Sequence, residues 1–121
     1  MTRILVVEDD HKVGRVLEQG LSEADFEVDR VADGLEALAR AQTGGYDLIL
    51  LDHMLPGRSG IEVASELRAL GHRFPILMLS ARDTPEDRQD YIAAGANDVL
   101  GKPFRFDDLI RRISELLAIA Q

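Results

Sequence analysis

A lone carboxylate, Asp52, stands at the end of the apolar run from Leu48 to Leu51, shortly before the turn residues Pro56 and Gly57. Burying a carboxylate beside an apolar strand is costly unless a cation or hydrogen-bond donors compensate its charge. The rest of the chain must therefore supply a partner for Asp52. The first candidates are the polar residues that follow the other apolar runs.

Three other short apolar runs end in groups that could complete such a site. Glu8 and Asp9 follow the first run, Ser80 ends the fourth, and Lys102 follows the last. If the runs are neighbouring parallel strands, all these residues lie at one edge of a sheet. Clustered carboxylates favour either proton uptake or a bound cation. Since only oxygen ligands gather here, we expect Mg²⁺ before Ca²⁺.

A carboxylate that binds a metal ion and lies near an ammonium group suits phosphoryl chemistry. The two cations neutralise the phosphoryl oxygens while a carboxylate oxygen of Asp52 attacks the phosphorus in line. Lys102 supplies the second positive charge, and Ser80 donates a hydrogen bond to the transferred group. Asp10 is better explained as the cap of the following helix than as a ligand. The residues therefore predict that Asp52 accepts a phosphoryl group.

Strand and helix patterns alternate along the whole chain. The strand-like runs are residues 4–7, 26–31, 48–51, 75–79 and 98–101, and residues such as Val13, Leu17 and Leu21 recur between them at helical spacing. This order predicts an α/β fold with a parallel sheet covered on both faces. The second run alternates between apolar and polar residues, which indicates a less covered edge strand.

Length and composition exclude several classes of protein. The chain has 121 residues, enough for one domain, and 22 acidic against 14 basic residues give a net charge of -8. This charge argues against nucleic acid binding and against anionic lipid surfaces. The absence of cysteine excludes disulfides and thiolate chemistry. No apolar run reaches membrane-spanning length and no signal peptide precedes the first run, so we expect a soluble, cytoplasmic protein.

Four motifs resemble those of response-regulator receiver domains of two-component systems: "VVEDD", "LDHMLPGRSG", "MLSAR" and "GKPF". They occur in the order and spacing of that family, and the resemblance covers residues 1–121 as one receiver domain. It implies a flavodoxin-like, doubly wound fold like that of the chemotaxis regulator, with a five-stranded parallel sheet of order 2-1-3-4-5 and helices on both faces.

The resemblance also implies specific roles for the site residues. Asp52 is the phosphoacceptor, and Mg²⁺ is bound by Asp9 and Asp52 directly, by Glu8 through water and by the backbone carbonyl of Met54. Lys102 contacts the phosphoryl group, with a cis peptide before Pro103, and Ser80 is the switch hydroxyl. The donor is a phosphohistidine on a sensor histidine kinase, and the domain catalyses only its own phosphorylation and dephosphorylation, so it is not an enzyme in the usual sense.

The motif wording is most similar to the OmpR-type subfamily, whose receivers usually precede a winged-helix DNA-binding domain. Such receivers dimerise through the fourth helix, fifth strand and fifth helix. Two of that interface's three ion pairs are expected here, Arg88 with Asp108 and Asp98 with Arg112. The third is absent, because its positions hold Asn97 and Ile119. A missing exposed pair affects the strength of a dimer more than its geometry.

Two residues depart from the family pattern. Val99 occupies the position of the usual aromatic switch residue, so either another side chain responds to the phosphoryl group or the domain signals through loop and helix shifts alone. His53 follows the phosphoacceptor directly. We interpret it as a partly exposed side chain that fills space, with pH or transition-metal sensitivity as the second hypothesis.

Other functions fit the residues less well. A hydrolase of the haloacid-dehalogenase type needs a second acid where this chain has Met54, and a flavodoxin-like electron carrier needs a hydroxyl-rich loop where this chain has "EDDHK". A degenerate receiver that signals without phosphate is disfavoured by the intact site. A stand-alone receiver, acting by protein contact or in a phosphorelay, competes with an N-terminal module of a transcription factor. The apolar ending "LLAIAQ" slightly favours a stand-alone receiver, whereas the subfamily resemblance favours a module of a transcription factor.

Overall fold

Five strands alternate with five helices in the computed structural model, which describes residues 1–120. The strands are β1 (Arg3–Val7), β2 (Glu27–Val31), β3 (Leu48–Asp52), β4 (Ile76–Ser80) and β5 (Asp98–Gly101). The helices are α1 (His11–Glu23), α2 (Gly34–Thr43), α3 (Gly60–Ala69), α4 (Pro85–Ala93) and α5 (Phe106–Ala120). The alternation predicted from the sequence is confirmed.

All five strands are parallel and lie in the order β2-β1-β3-β4-β5, as the resemblance implied. Every residue of β3 and β4 is buried, whereas β2 lies at one edge and is largely half-buried, as its alternating pattern predicted. One buried cluster joins the sheet to α2, α3 and α4. A second cluster joins the opposite face to α1 and α5. Apolar burial on both faces therefore fixes the strands whose ends form the site.

Side-chain caps define where the helices begin. Asp10 accepts hydrogen bonds from the backbone N–H groups of Lys12 and Val13, which confirms it as the cap of α1. Thr84 caps α4, and Pro85 lies in the first turn of that helix. Both helices therefore begin near the carboxyl edge of the sheet, where β1 and β4 end.

Some apolar residues with helical spacing do not reach the core. Val16 in α1 is 64% exposed and Leu35 in α2 is 56% exposed, although both continue the apolar stripe of their helix. No helix within residues 1–120 combines the length and apolar character needed to cross a bilayer.

Candidate functional site

Three carboxylates meet where β1 and β3 end. Asp52 is the last residue of β3, and Glu8 follows Val7, the last residue of β1, whose partner in the ladder is Leu51. Glu8, Asp9 and Asp52 each offer an oxygen within 4.8 Å of the others. Glu8 and Asp52 are only 2% and 5% exposed, whereas Asp9 is open to solvent. Parallel pairing thus collects the acids that the sequence predicted, and their oxygen atoms could hold a metal ion.

Lys102 is the compensating charge that Asp52 requires. Its Nζ lies 3.0 Å from Asp52 Oδ1 and 3.4 Å from Glu8 Oε1. The lysine is held in place by its own backbone, because its N–H donates to the carbonyl of Ser80 at 2.8 Å. A cis peptide joins Lys102 to Pro103, as the resemblance implied. The loop after β5 therefore places the ammonium group of Lys102 beside the carboxyl ends of β1 and β3.

Close packing also fixes the chain after Asp52. Gly60, the first residue of α3, donates its N–H to the carbonyl of His53 at 2.9 Å. A side chain at Gly60 would clash, since its Cβ would lie 2.6 Å from the Asp52 carbonyl oxygen. The absence of a side chain at this position lets α3 begin directly against the end of β3.

Burial and crowding change the charge states at the site. The pKa of Glu8 is raised from 4.5 to about 7, first because burial disfavours the charged carboxylate and then because of the hydrogen bond and charge of Asp52. Burial alone would lower the pKa of Lys102, but the hydrogen bond to Asp52 and the charges of both acids outweigh it, so its pKa is raised. The ammonium group stays charged, and the acids still repel each other.

Ser80 belongs to a closed ring of hydrogen bonds. Its Oγ lies 2.7 Å from the hydroxyl oxygen of Tyr91 and accepts from the backbone N–H of Arg82 at 2.9 Å. The Tyr91 hydroxyl in turn donates to the carbonyl of Arg82 at 3.0 Å. The sequence alone did not reveal this contact of Tyr91. The one indication in the sequence was that Tyr91 is the single aromatic residue of α4, a helix with a weak apolar pattern.

The remaining residues near the site occupy different environments. His53 is half-buried, as expected, and its ring packs against the Tyr91 ring with centroids 5.1 Å apart. Its Nδ1 is buried without a hydrogen-bond partner among the described residues. Val99 is fully enclosed in the core cluster that also contains Tyr91. The side chain of Met54 is 68% exposed at the rim.

The four residues expected at a dimer interface have partners within the chain. Arg112 NH1 lies 2.8 Å from Asp98 Oδ2, so one expected pair forms between β5 and α5 of the same molecule. Arg88 instead lies 3.8 Å from Asp83, and Asp108 lies 3.2 Å from Arg111. The interface between chains therefore stays a prediction.

A protein-family model described as the response regulator receiver domain matches residues 4–114 of the chain. The chain belongs to this family. The expectation drawn from the four motifs is thereby confirmed, and the family is one of signalling domains and not of classical enzymes.

Curated relatives of this receiver domain are transcriptional regulators. The chain is 45% identical over 121 residues to the transcriptional regulatory protein PcoR of Escherichia coli, covering 100% of the chain and 54% of the relative. It is 46% identical over 119 residues to the transcriptional activator protein IrlR of Burkholderia pseudomallei, covering 98% and 52%. The receiver domain thus spans about half the length of these relatives.

Solved structures match the fold of the receiver domain over its full length. The receiver domain of Francisella response regulator 1452 has a TM-score of 0.96 at 32% identity and full coverage of both chains. The receiver domain of a Pseudomonas aeruginosa sensor histidine kinase has a TM-score of 0.89 at 37% identity, covering 97% of this chain and 98% of that one. Its structure holds a magnesium ion in the active-site cleft.

Proposed function

We propose that this receiver domain, residues 1–121, takes a phosphoryl group from a sensor histidine kinase onto Asp52 and thereby controls an output. The observation that carries the proposal is the juxtaposition at Asp52: Lys102 Nζ lies 3.0 Å away, and oxygen atoms of Glu8 and Asp9 lie within 4.8 Å of a carboxylate oxygen of Asp52. A nucleophilic carboxylate, a fixed cation and a set of metal ligands are the parts that phosphoryl transfer requires.

The donor set fits Mg²⁺. The three carboxylates offer only oxygen, and two of them are buried beside a single ammonium group, which leaves negative charge for a divalent cation to neutralise. Asp9 and Asp52 would bind the ion directly, Glu8 through water, and Met54 through its backbone carbonyl. When bound, Mg²⁺ supplies charge neutralisation on the phosphoryl oxygens. The magnesium in the related Pseudomonas aeruginosa receiver supports this assignment.

The chain's own residues then act on the phosphoryl group as follows. An Asp52 oxygen attacks the phosphorus, a P–O bond forms, and the P–N bond of the phosphohistidine breaks with its electron pair returning to the imidazole. Lys102 neutralises charge on the arriving group, and Ser80 donates a hydrogen bond to it. Hydrolysis of the acyl phosphate resets Asp52, so the domain catalyses only its own modification.

We further propose a cytoplasmic setting and an output in transcription, through a DNA-binding domain that belongs to the full-length protein. The support is that the regulators PcoR and IrlR are about twice as long as this chain. A dimer through α4, β5 and α5 would use Arg88, Asp98, Asp108 and Arg112. This domain itself would bind no DNA, given its net charge of -8.

The experiment is intact mass spectrometry after incubation with acetyl phosphate, with Mg²⁺ or with EDTA. We expect one phosphoryl group per chain, only with Mg²⁺, and none in Asp52→Asn. Asp47→Asn is the matched control, because Asp47 is an exposed carboxylate directly before the same strand and is expected to leave the gain unchanged.

Two other outcomes would redirect the assignment. A phosphoryl gain that survives Asp52→Asn would move the acceptor to another residue. No gain in any sample, with Mg²⁺ binding still measurable by calorimetry, would indicate a degenerate receiver that signals without phosphate.

A further inference from the structure

Helix α4 is attached to the sheet by a single buried side chain. Of its nine residues, all within the described chain, only Tyr91 is buried, at 2% exposure. Ile92 is 49% exposed, and the charged residues of the helix lie at least partly in solvent. Because apolar burial positions a helix on a sheet, the seating of α4 depends largely on how the Tyr91 ring is held.

The three hydrogen bonds among Ser80, Arg82 and Tyr91 determine which group donates each proton. The Arg82 N–H donates to Ser80 Oγ, and the Tyr91 hydroxyl donates to the Arg82 carbonyl. The remaining contact, 2.7 Å between the two hydroxyl oxygens, then uses the one proton of Ser80, with Tyr91 as acceptor. The Ser80 proton is therefore committed to Tyr91 and is not free for another acceptor.

Ser80 lies on the strand that pairs directly with the phosphoacceptor strand. Its neighbour Leu79 is paired with Asp52 in the sheet, and the carbonyl of Leu79 accepts from the N–H of His53 at 3.0 Å. The imidazole of His53 packs on the Tyr91 ring at 5.1 Å between centroids. Tyr91 thus touches both the residue after Asp52 and the hydroxyl at the end of the neighbouring strand.

We propose that Tyr91 is the positioning residue that links Ser80 to α4, so that Tyr91 and a phosphoryl group on Asp52 compete for the Ser80 hydroxyl. The proposal rests on the proposed function. When Ser80 donates to a phosphoryl oxygen, the Tyr91 oxygen loses its donor and the three-bond ring opens. Tyr91, the one buried side chain of α4, then keeps only its hydrogen bond to the Arg82 carbonyl, and the weaker attachment lets the helix shift its exposed surface.

Tyrosine spectroscopy tests this directly. The chain has two tyrosines, Tyr46 and Tyr91, and no tryptophan. In a Tyr46→Phe background, the near-ultraviolet absorption reports the Tyr91 hydroxyl alone. Acetyl phosphate with Mg²⁺ is expected to shift this band in step with the phosphoryl gain measured by mass, and adding Ser80→Ala is expected to remove the shift.

The converse variant serves as the matched control. In Tyr91→Phe the remaining tyrosine is Tyr46, whose hydroxyl donates at 2.7 Å to Asp29 in the edge strand β2 and makes no hydrogen bond to a residue of the site. Its band is expected to stay constant on phosphorylation. Removing the Tyr91 hydroxyl also frees the Ser80 proton, so Tyr91→Phe is expected to gain phosphoryl groups about fivefold faster, the equivalent of one ordinary hydrogen bond. Tyr46→Phe is expected to react at the original rate.

The outcomes separate the two proposals. A normal phosphoryl gain on Asp52 with an unchanged Tyr91 band would overturn the role of Tyr91 and leave the proposed function intact. An unchanged phosphorylation rate in a Tyr91→Phe protein that unfolds at the normal temperature would also overturn it. No phosphoryl gain in any variant would overturn both.

Discussion

At the scale of single residues, Glu8 is the group of the site whose charge changes near neutral pH. Its pKa rises from 4.5 to about 7 on folding, because burial and Asp52 disfavour its charged form. The folded chain therefore holds a proton at Glu8 that the unfolded chain has already released. This contribution to stability is fully present below about pH 4.5 and is lost as the pH rises through about 7.

We expect Glu8→Gln to remove this pH dependence in metal-free buffer. Relative to the unmodified chain, the variant gains about 1 to 3 kcal/mol in free energy of unfolding between pH 5 and pH 8, because its neutral amide has no proton to lose. Urea denaturation with EDTA at several pH values measures the difference. Glu115→Gln, at an exposed acid of α5, is the control and should follow the unmodified chain. Parallel curves for Glu8→Gln and the unmodified chain would contradict the prediction.

Sequence reasoning found the residues of the acidic site but not the partner of Ser80. Glu8, Asp52 and Lys102 each follow an apolar strand, and parallel pairing brings strand ends together whatever the details of packing. Tyr91 lies in a helix whose apolar pattern is too weak to show which side faces the sheet. Its contact with Ser80 depends on how α4 is seated, and this is a property of tertiary packing that no local pattern encodes.

At the scale of elements, the strands were predictable to within a residue, because β3 and β4 are apolar up to their last residues, Asp52 and Ser80, and turn or polar residues flank both. Helical periodicity predicted too much burial. Val16 and Leu35 continue an apolar stripe yet are 64% and 56% exposed, since the stripe is wider than the face that the sheet can cover.

Arg68 joins α3 to the loop before β5. Its guanidinium donates to the carbonyls of Gly95, His72 and Phe74 at 2.9 to 3.0 Å and to Asn97 Oδ1 at 2.8 Å. Burial lowers the pKa of Arg68, so these acceptors are needed to compensate its desolvation. Asn97, which occupies one position of the missing third ion pair, is thus used inside the chain.

We expect Arg68→Gln to lower the free energy of unfolding by about 2 to 4 kcal/mol, because several carbonyl groups lose a charged donor at once. Urea denaturation checks this. The exposed Arg73, five residues further along, provides the control, and Arg73→Gln is expected to change stability by less than about 0.5 kcal/mol. Equal effects of the two substitutions would show that the hydrogen bonds of Arg68 contribute nothing specific.

At the scale of the whole molecule, self-association must overcome repulsion between two chains that each carry a net charge of -8. Opposite charges at the contact then fix its orientation more than its strength. Asp98 and Arg112 lie 2.8 Å apart within one chain, so this pair must open before either residue bonds across a dimer. Reversing one charge at a time tests whether Asp98 of one phosphorylated chain pairs with Arg112 of the other.

Asp98→Arg and Arg112→Asp each place two like charges together, and we expect each phosphorylated variant to dimerise about tenfold more weakly than the unmodified chain. In an equimolar mixture of the two variants, the introduced arginine of one chain faces the introduced aspartate of the other, and the original residues face each other. The mixture should therefore regain the dimer, as measured by sedimentation velocity. Arg15→Asp on α1, outside the proposed interface, controls for the change in net charge. If the pair acts only within the chain, the mixture will dimerise no more strongly than either variant alone, because each molecule keeps its own repulsion.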